Sequence, residues 1–258
     1  MDINAKGLRV IVTAGAAGIG RVIAETFHNN GARVYICDVA QTSLDECRSA
    51  LPDIGASLAD VADASQVDRM FEAATAFLGG LDVMVNNAGI AGPTAMIEDI
   101  STRDWDQTLA VNINGMFYCT RRAVPLLKSA GGGSIINLSS SAGRLGFPLR
   151  TPYAASKWGV VGITESLAME LGPFNIRVNC IQPGIVEGER IDRVINAKAK
   201  ALGLQSEQYR EQLLTRVSLR RTVSPQDIAN MALFLASDAG KHISGQSSGV
   251  CGNVETLG

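Results

Sequence analysis

The stretch LRVIVTAGAAGIGRVIAETF, residues 8–27, changes its period partway along. Residues 8–13 are apolar at nearly every position and read as a strand. From Ile19 the apolar residues Val22, Ile23, Thr26 and Phe27 recur at helical spacing, and the pattern stops at Asn29-Asn30-Gly31. Between the two lies a glycine turn. Its glycines, at 15, 18 and 20, read G-x-x-G-x-G and not the dinucleotide fingerprint G-x-G-x-x-G. A strand that breaks through glycine into a helix brings backbone N–H groups and a positive helix end to one place, which suits a pyrophosphate.

Outward from this unit the same alternation continues. Further strands are expected at 33–39, 56–61, 81–89, 133–141 and 176–184, separated by helix-length segments such as Val67, Met70, Phe71, Ala74 and Phe77. The strands are apolar on both faces, as in a parallel sheet covered on both sides. Helix-length crossovers then imply right-handed βαβ units. The expected class is α/β, a single Rossmann-type, doubly wound parallel sheet with helices on both faces. With no linker, repeat or low-complexity stretch, residues 1–258 read as one domain. Residues 187–217 interrupt the rhythm with a charged, helix-favouring segment, expected as a helical cover over a site at the carboxyl ends of the strands.

Bulk properties exclude several classes. A net charge of −2 gives no reason to expect nucleic acid or an anionic membrane as partner. No apolar run has the length of a spanning helix, and the N-terminus lacks a charged-then-apolar leader pattern, so a cytoplasmic protein is expected. The cysteines at 37, 47, 119, 180 and 251 are widely spaced and odd in number. They read as reduced, buried small hydrophobes. His28 and His242 stand far apart with no ligand cluster, so no metal site is expected.

Two ends of a site can be read. At the nucleotide end, the turn residues Gly15, Ala17, Gly18, Ile19 and Gly20 are joined by Asp38, which closes the second strand. A carboxylate there can accept both hydroxyls of an adenosine ribose and repels a 2′-phosphate. Val39 and Ala40 supply no arginine to bind such a phosphate, so NAD is expected over NADP. Asp60 and Val61 close the third strand as a candidate adenine edge.

At the other end, Tyr153 and Lys157 sit four residues apart in a helix-period segment, with Thr151 as candidate N-cap and Pro152 in the first turn. A phenol has a pKa of about 10 in water and is a poor base near neutrality. A nearby ammonium lowers that value and makes the pair a usable general acid/base. Ser140, at the end of the fifth strand, can hydrogen-bond a carbonyl opposite the tyrosine. Asn112 is an amide among apolar helix positions and needs partners.

Together these residues resemble the short-chain dehydrogenase/reductase family. The resemblance runs over nearly the whole chain: the glycine turn at 13–20, Asn86-Asn87-Ala88-Gly89, Asn112, Ser140, Tyr153 with Lys157, and Pro183-Gly184. It implies that Tyr153 is proton donor or acceptor and that Lys157 lowers its pKa and binds the nicotinamide ribose. Ser140 would polarise the substrate carbonyl, and Asn112 would hold a water in a proton relay from Lys157. Asn87, Ala88, Gly89 and Pro183 would line the cofactor, and Val186 would touch the nicotinamide amide. A homo-oligomer, tetramer or dimer, is implied, with the helices of Tyr153 and Asn112 at an interface. The chain departs from the family pattern in three places. Ala14 stands where the turn usually has its first glycine, Gly188 stands where a threonine is common, and Val250-Cys251-Gly252-Asn253 replaces the usual C-terminal pattern.

The expected function is an NAD(H)-dependent oxidoreductase that interconverts a secondary alcohol and a ketone on a small hydroxylated substrate. The alternatives are an NADPH-dependent 3-oxoacyl thioester reductase and a non-catalytic nucleotide-sensing protein of the same fold. Arg144, Arg150 and Arg190 are candidate substrate contacts, suited to a carboxylate or another anion. Leu145, Phe147 and Leu149 would instead make the mouth apolar.

Overall fold

A computed structural model describes residues 3–257 of the chain. Seven strands form one parallel sheet in the order β3-β2-β1-β4-β5-β6-β7. They are β1 (Arg9–Thr13), β2 (Arg33–Asp38), β3 (Gly55–Leu58), β4 (Val83–Asn86), β5 (Gly133–Leu138), β6 (Ile176–Pro183) and β7 (Ser247–Val250). The helices between them are α1 (Gly18–Asn29), α2 (Gln41–Ala50), α3 (Ala64–Leu78), α4 (Thr102–Leu109), α5 (Gly115–Ser129), α6 (Thr151–Leu171), α7 (Glu189–Ala201), α8 (Ser206–Thr215) and α9 (Pro225–Ala236).

The continuous apolar character of the strands has the expected cause. Val10 and Val12 of β1 face one core with Ile23 and Phe27 of α1 and Ile228 and Ala232 of α9. Ile11 between them faces a second core with Phe71 of α3, Cys119 and Leu127 of α5 and Val178 of β6. The inner strands are thus buried on both sides, so period-two alternation is absent there, while the edge strands β3 and β7 are only partly covered. The far ends of β1 and β4 are pinned by Arg9, whose Nε and Nη2 bond both Asp82 oxygens at 2.8 and 2.7 Å. Among the described residues no helix is long and apolar enough to cross a membrane.

Several boundaries differ from expectation. β3 ends at Leu58, not at residue 61, because Asp60 turns the chain by accepting from Ala62 N at 2.9 Å. β4 is confined to 83–86 and β5 to 133–138. Thr151 is not the N-cap of α6 but its first residue; Arg150 occupies the cap without a side-chain hydrogen bond. Residues 187–217 do form a helical pair, α7 and α8. Their inner faces make a separate apolar cluster with Ile195, Ala199, Tyr209 and Leu213 packed near Phe147 and Tyr153.

The strand order reverses between β1 and β4, one running on to β2 and the other to β5. In a doubly wound sheet that junction opens a crevice at the carboxyl ends of the strands.

Candidate functional site

The crevice holds a cleft of about 700 Å³. Its nucleotide end is built by the turn after β1. Ala14 adopts φ +49, a left-handed conformation unusual for alanine. The turn is tied to the end of β4. Asn87 donates from Nδ2 to the carbonyls of Thr13 and Ala14, at 2.9 and 3.1 Å. Thr13 Oγ1 accepts from the backbone N–H groups of Asn87 and Ala88 at 3.0 and 2.9 Å. Gly20 lies so close beneath that a Cβ there would stand 2.0 Å from the Ala14 carbonyl oxygen. Ala17 caps α1 with no side-chain bond, which leaves the first-turn N–H groups to a ligand. Asp38 accepts from Ala16 N at 3.2 Å and from Val39 N at 2.8 Å, so its carboxylate is fixed beside the turn. A bare helix end, a turn closed by a glycine at position 20 with no room for a side chain, and an anchored carboxylate together fit a dinucleotide.

The chemical end is carried by β5 and α6. The short 3₁₀ turn Ser141–Gly143 after β5 packs flat on α6, where a Cβ at Gly143 would come within 2.6 Å of the Lys157 carbonyl oxygen. Ser139 Oγ donates to that same carbonyl at 2.8 Å. These contacts bring Ser140 to the Tyr153 side of the cleft, where its hydroxyl accepts from Ala142 N at 3.2 Å and favours the Tyr153 phenolate. Lys157 Nζ lies 5.7 Å from the Tyr153 ring centroid and donates to the Leu138 carbonyl at 2.7 Å. Burial by itself raises the Tyr153 phenol, but the charges of Lys157, Arg190 and Arg150 and the nearby Ser140 hydroxyl bring it below its ordinary value. Burial pushes Lys157 down as well, against the opposing pull of the phenolate.

Asn112 is buried at a π-helical turn, Ala110–Asn114, between α4 and α5. Such turns recur at functional sites. Its amide is fully engaged outside its own helix. Oδ1 accepts from Ile90 N at 2.7 Å, while Nδ2 donates to Ile90 O and Ser156 Oγ, each at 3.0 Å. A Cβ at Gly89 would stand 3.2 Å from Asn112 Oδ1 and 3.4 Å from Lys157 Nζ, so both polar groups border the same small space.

Most of the expected residues meet on this one cleft. Ala17, Gly18, Ile19, Gly20 and Asp38 line one end, with Asn87 and Gly89 beside them. Ser140, Tyr153, Lys157, Pro183 and Val186 line the other, together with Arg150 and Arg190. Others lie outside the lining. Gly15 backs onto Ile36 of β2, and Ala88 packs into the α3–α5 core. Asp60 is used by its own turn, and Val61 is buried where a Cβ at Gly115 would meet it at 2.7 Å. Arg144 turns away and donates to Cys251 Sγ at 3.0 Å. Asn112 stands behind Gly89.

The cleft also has walls that sequence reading left unnamed. Tyr209 and Leu213 of α8 and Leu257 near the C-terminus close it from above. Behind that lining, Lys198 of α7, 3% exposed, lies 4.3 Å from the centre of the ring of Phe147, which does line the cleft. Only the packing of α7 and α8 onto residues 145–153 reveals these, since their spacing in sequence carries no motif.

Comparison with known proteins agrees with this geometry. A family model described as enoyl-(acyl carrier protein) reductase matches residues 14–252. The 3-oxoacyl-[acyl-carrier-protein] reductase FabG of Thermotoga maritima is 34% identical over 253 residues, spanning 96% of this chain and 98% of that protein. A 7α-hydroxysteroid dehydrogenase solved in complex with NADH and 7-oxo glycochenodeoxycholic acid superposes with a TM-score of 0.90 at 30% identity, over 99% of this chain and 98% of that one. An NAD⁺-bound xylitol dehydrogenase gives 0.92 at 26% identity, over 96% and 99%. The chain belongs to the short-chain dehydrogenase/reductase family and is an oxidoreductase of CH–OH and keto groups.

Proposed function

We propose that this member of the short-chain dehydrogenase/reductase family is an NAD(H)-dependent enzyme that interconverts a secondary alcohol and a ketone on a small hydroxylated substrate. The observation that carries the reading is the meeting of Ser140, Tyr153 and Lys157 on one cleft, with the Lys157 ammonium 5.7 Å from the Tyr153 ring and the phenol's pKa below its ordinary value. In oxidation, the Tyr153 phenolate takes the proton of the substrate hydroxyl, which Ser140 orients by hydrogen bonding. Lys157 holds the phenolate charge and, with a water held near Asn112, returns the proton to solvent. In reduction, the Tyr153 phenol gives its proton to the carbonyl oxygen while Ser140 polarises it. The nicotinamide cofactor, when bound, accepts or supplies the hydride at the reacting carbon. Its adenosine ribose is assigned to Asp38 and its pyrophosphate to the Gly18–Gly20 turn, with Val186 and Pro183 against the nicotinamide half. The helical pair within 187–217 is assigned as the cover over the substrate.

NAD is favoured over NADP by the anchored Asp38 carboxylate and by the absence of any lysine or arginine among the cleft residues beside it. A thioester reductase using NADPH remains the second reading, supported by the FabG likeness. A homo-oligomer is supported by large apolar side chains on the outer faces of α5 and α6: Phe117, Trp158 and Met169 are all exposed.

A panel of secondary alcohols, polyols, hydroxy acids and a 3-oxoacyl thioester, each with NAD(H) and NADP(H), tests the reading by absorbance of the reduced cofactor. Turnover of alcohols with NAD supports it. Thioester reduction with NADPH alone would replace it with the second reading. Tight cofactor binding without any turnover would show a nucleotide-sensing protein.

A further inference from the structure

The cleft beyond Tyr153 is rich in buried positive charge and poor in negative charge. Arg150 lines it with 2% of its surface exposed. Its guanidinium stands between two rings, 5.5 Å from the centroids of both Phe147 and Tyr153. Nη1 donates to Thr94 Oγ1 at 3.2 Å and Nη2 to the Ala91 carbonyl at 2.6 Å. Both partners are neutral. Nε has no partner among the described residues. A guanidinium carries five donors, so a free edge is left.

The surroundings add to the imbalance. Among the described residues no aspartate or glutamate side chain is among the charges acting on Arg150, and Arg190 acts against it. Lys198 is nearly as buried and, among the described residues, hydrogen-bonds only the Leu257 carbonyl, at 3.1 Å. Burial, Arg150 and Arg216 push it down to about 8. The Tyr209 hydroxyl, on the same wall, has no partner either. Glu187 and Glu189 on the cleft lining are exposed and turned to partners of their own, the Thr222 hydroxyl and, at 3.9 Å, Arg193. Buried charge is kept only where something compensates it, and two aromatic faces and two neutral oxygens are modest compensation.

We propose that the substrate carries an oxyanion head, held by the free edge of Arg150 and the Tyr209 hydroxyl within the positive field of Lys198, while its carbinol carbon sits at Tyr153. A planar fork suits a carboxylate best, and sulfonate and phosphate share the same acceptor chemistry. Because Arg150 lies against the Tyr153 ring, the anion is separated from the reacting carbon by roughly one to three bonds' reach of chain. The substrate class is therefore a short hydroxy or oxo acid. This assignment rests on the dehydrogenase reading above and adds a requirement to it.

Matched pairs test it: 3-hydroxybutyrate against its methyl ester, and 2-hydroxypropanesulfonate and 2-hydroxypropyl phosphate against 2-propanol. The expected result is at least a tenfold higher kcat/KM for the charged member of a pair. The best of the three anions identifies the head. In Arg150→Met the ratio should fall toward one. If that variant does not fold, Lys198→Met should lower the ratio severalfold. Neutral and charged members turned over equally by the wild type would overturn the proposal and leave the dehydrogenase reading standing, as would a ratio unchanged in both variants. If nothing is turned over, the dehydrogenase reading fails. The anion site is then decided by calorimetric titration of the NAD-loaded protein with the same three anions: binding lost in the variants supports it, and no binding overturns it.

Discussion

Asn87 holds the Ala14 carbonyl from across the sheet, donating to it at 3.1 Å from the end of the neighbouring strand. This bond explains how alanine is tolerated in a left-handed turn. The strained residue is clamped between the Asn87 amide above and the bare Gly20 below, where any side chain would strike its carbonyl. Asn87→Ala should destabilise the protein by about 1–3 kcal/mol, because two part-buried carbonyls, of Thr13 and Ala14, lose this donor. It should also weaken NAD binding, since the turn is no longer fixed. Denaturant unfolding and a cofactor titration check both; an unchanged midpoint would show that the clamp is idle.

Ala14→Gly tests the same turn from the other side. Relief of left-handed strain is worth ~1–2 kcal/mol. The added freedom of glycine in the unfolded chain costs roughly 0.5–1 kcal/mol. A small net gain in melting temperature is expected, with cofactor affinity retained. A loss of stability would mean that the alanine methyl makes packing contacts that outweigh the strain.

Tyr153→Phe should lower turnover by about 10²–10⁴-fold while leaving NAD affinity near that of the wild type. The pH dependence is set by the sign of the shift. Oxidation needs the phenolate, and the Tyr153 pKa lies below its ordinary value. Oxidation by the wild type should therefore rise with pH and level off below pH ~10. Lys157→Met removes the cation that favours the phenolate, so the rising limb should move to higher pH. A limb that stays in place in Lys157→Met would assign the titration to another group.

Asp38→Asn should change cofactor preference more than turnover. A carboxylate about 5 Å from a 2′-phosphate repels it by roughly 3 kcal/mol per unit charge at an effective dielectric constant of ~20. The ratio of kcat/KM for NAD over NADP should fall by at least an order of magnitude. If the wild type already prefers NADP, the assignment of Asp38 is wrong.

Lys198 makes a stability prediction. Its folded pKa of about 8 lies below the unfolded value, so the unfolded chain binds the extra proton between the two. Stability attributable to this group rises as pH increases from about 8 toward the ordinary lysine range, and below about pH 8 the full cost of the buried charge is present. Lys198→Met should flatten that rise relative to the wild type in paired melting curves. Parallel curves would show the ammonium to be compensated already.

The fold was legible where burial dictates sequence. β1 and β2 are apolar on both faces and read as covered strands, and β6 keeps enough apolar positions on both faces to read the same way despite Arg177, Asn179 and Gln182. β7, Ser247–Val250, escaped because it is short, contains glycine and pairs only with β6 at the sheet edge. The π-helical turn at Asn112 escaped because no composition marks it. The glycine turn, Asp38 and the Ser140–Tyr153–Lys157 group could be placed together from the sequence because each sits at a strand end or on a helix face, and all line the one cleft. Arg144 and Arg150 looked alike in the sequence. Only the path of residues 141–150 over α6 sends one to Cys251 and the other into the cleft. Lys198 and Tyr209 were invisible because their meaning depends on where α7 and α8 settle.

The five thiols occupy five separate places: β2, α2, α5, β6 and the turn after β7, each buried. Water-borne alkylating agents therefore meet none of them while the chain is closed. Each modification event dates the opening of one particular layer, so mass spectrometry of partially labelled protein would read the order in which the sheet comes apart, without any engineered probe.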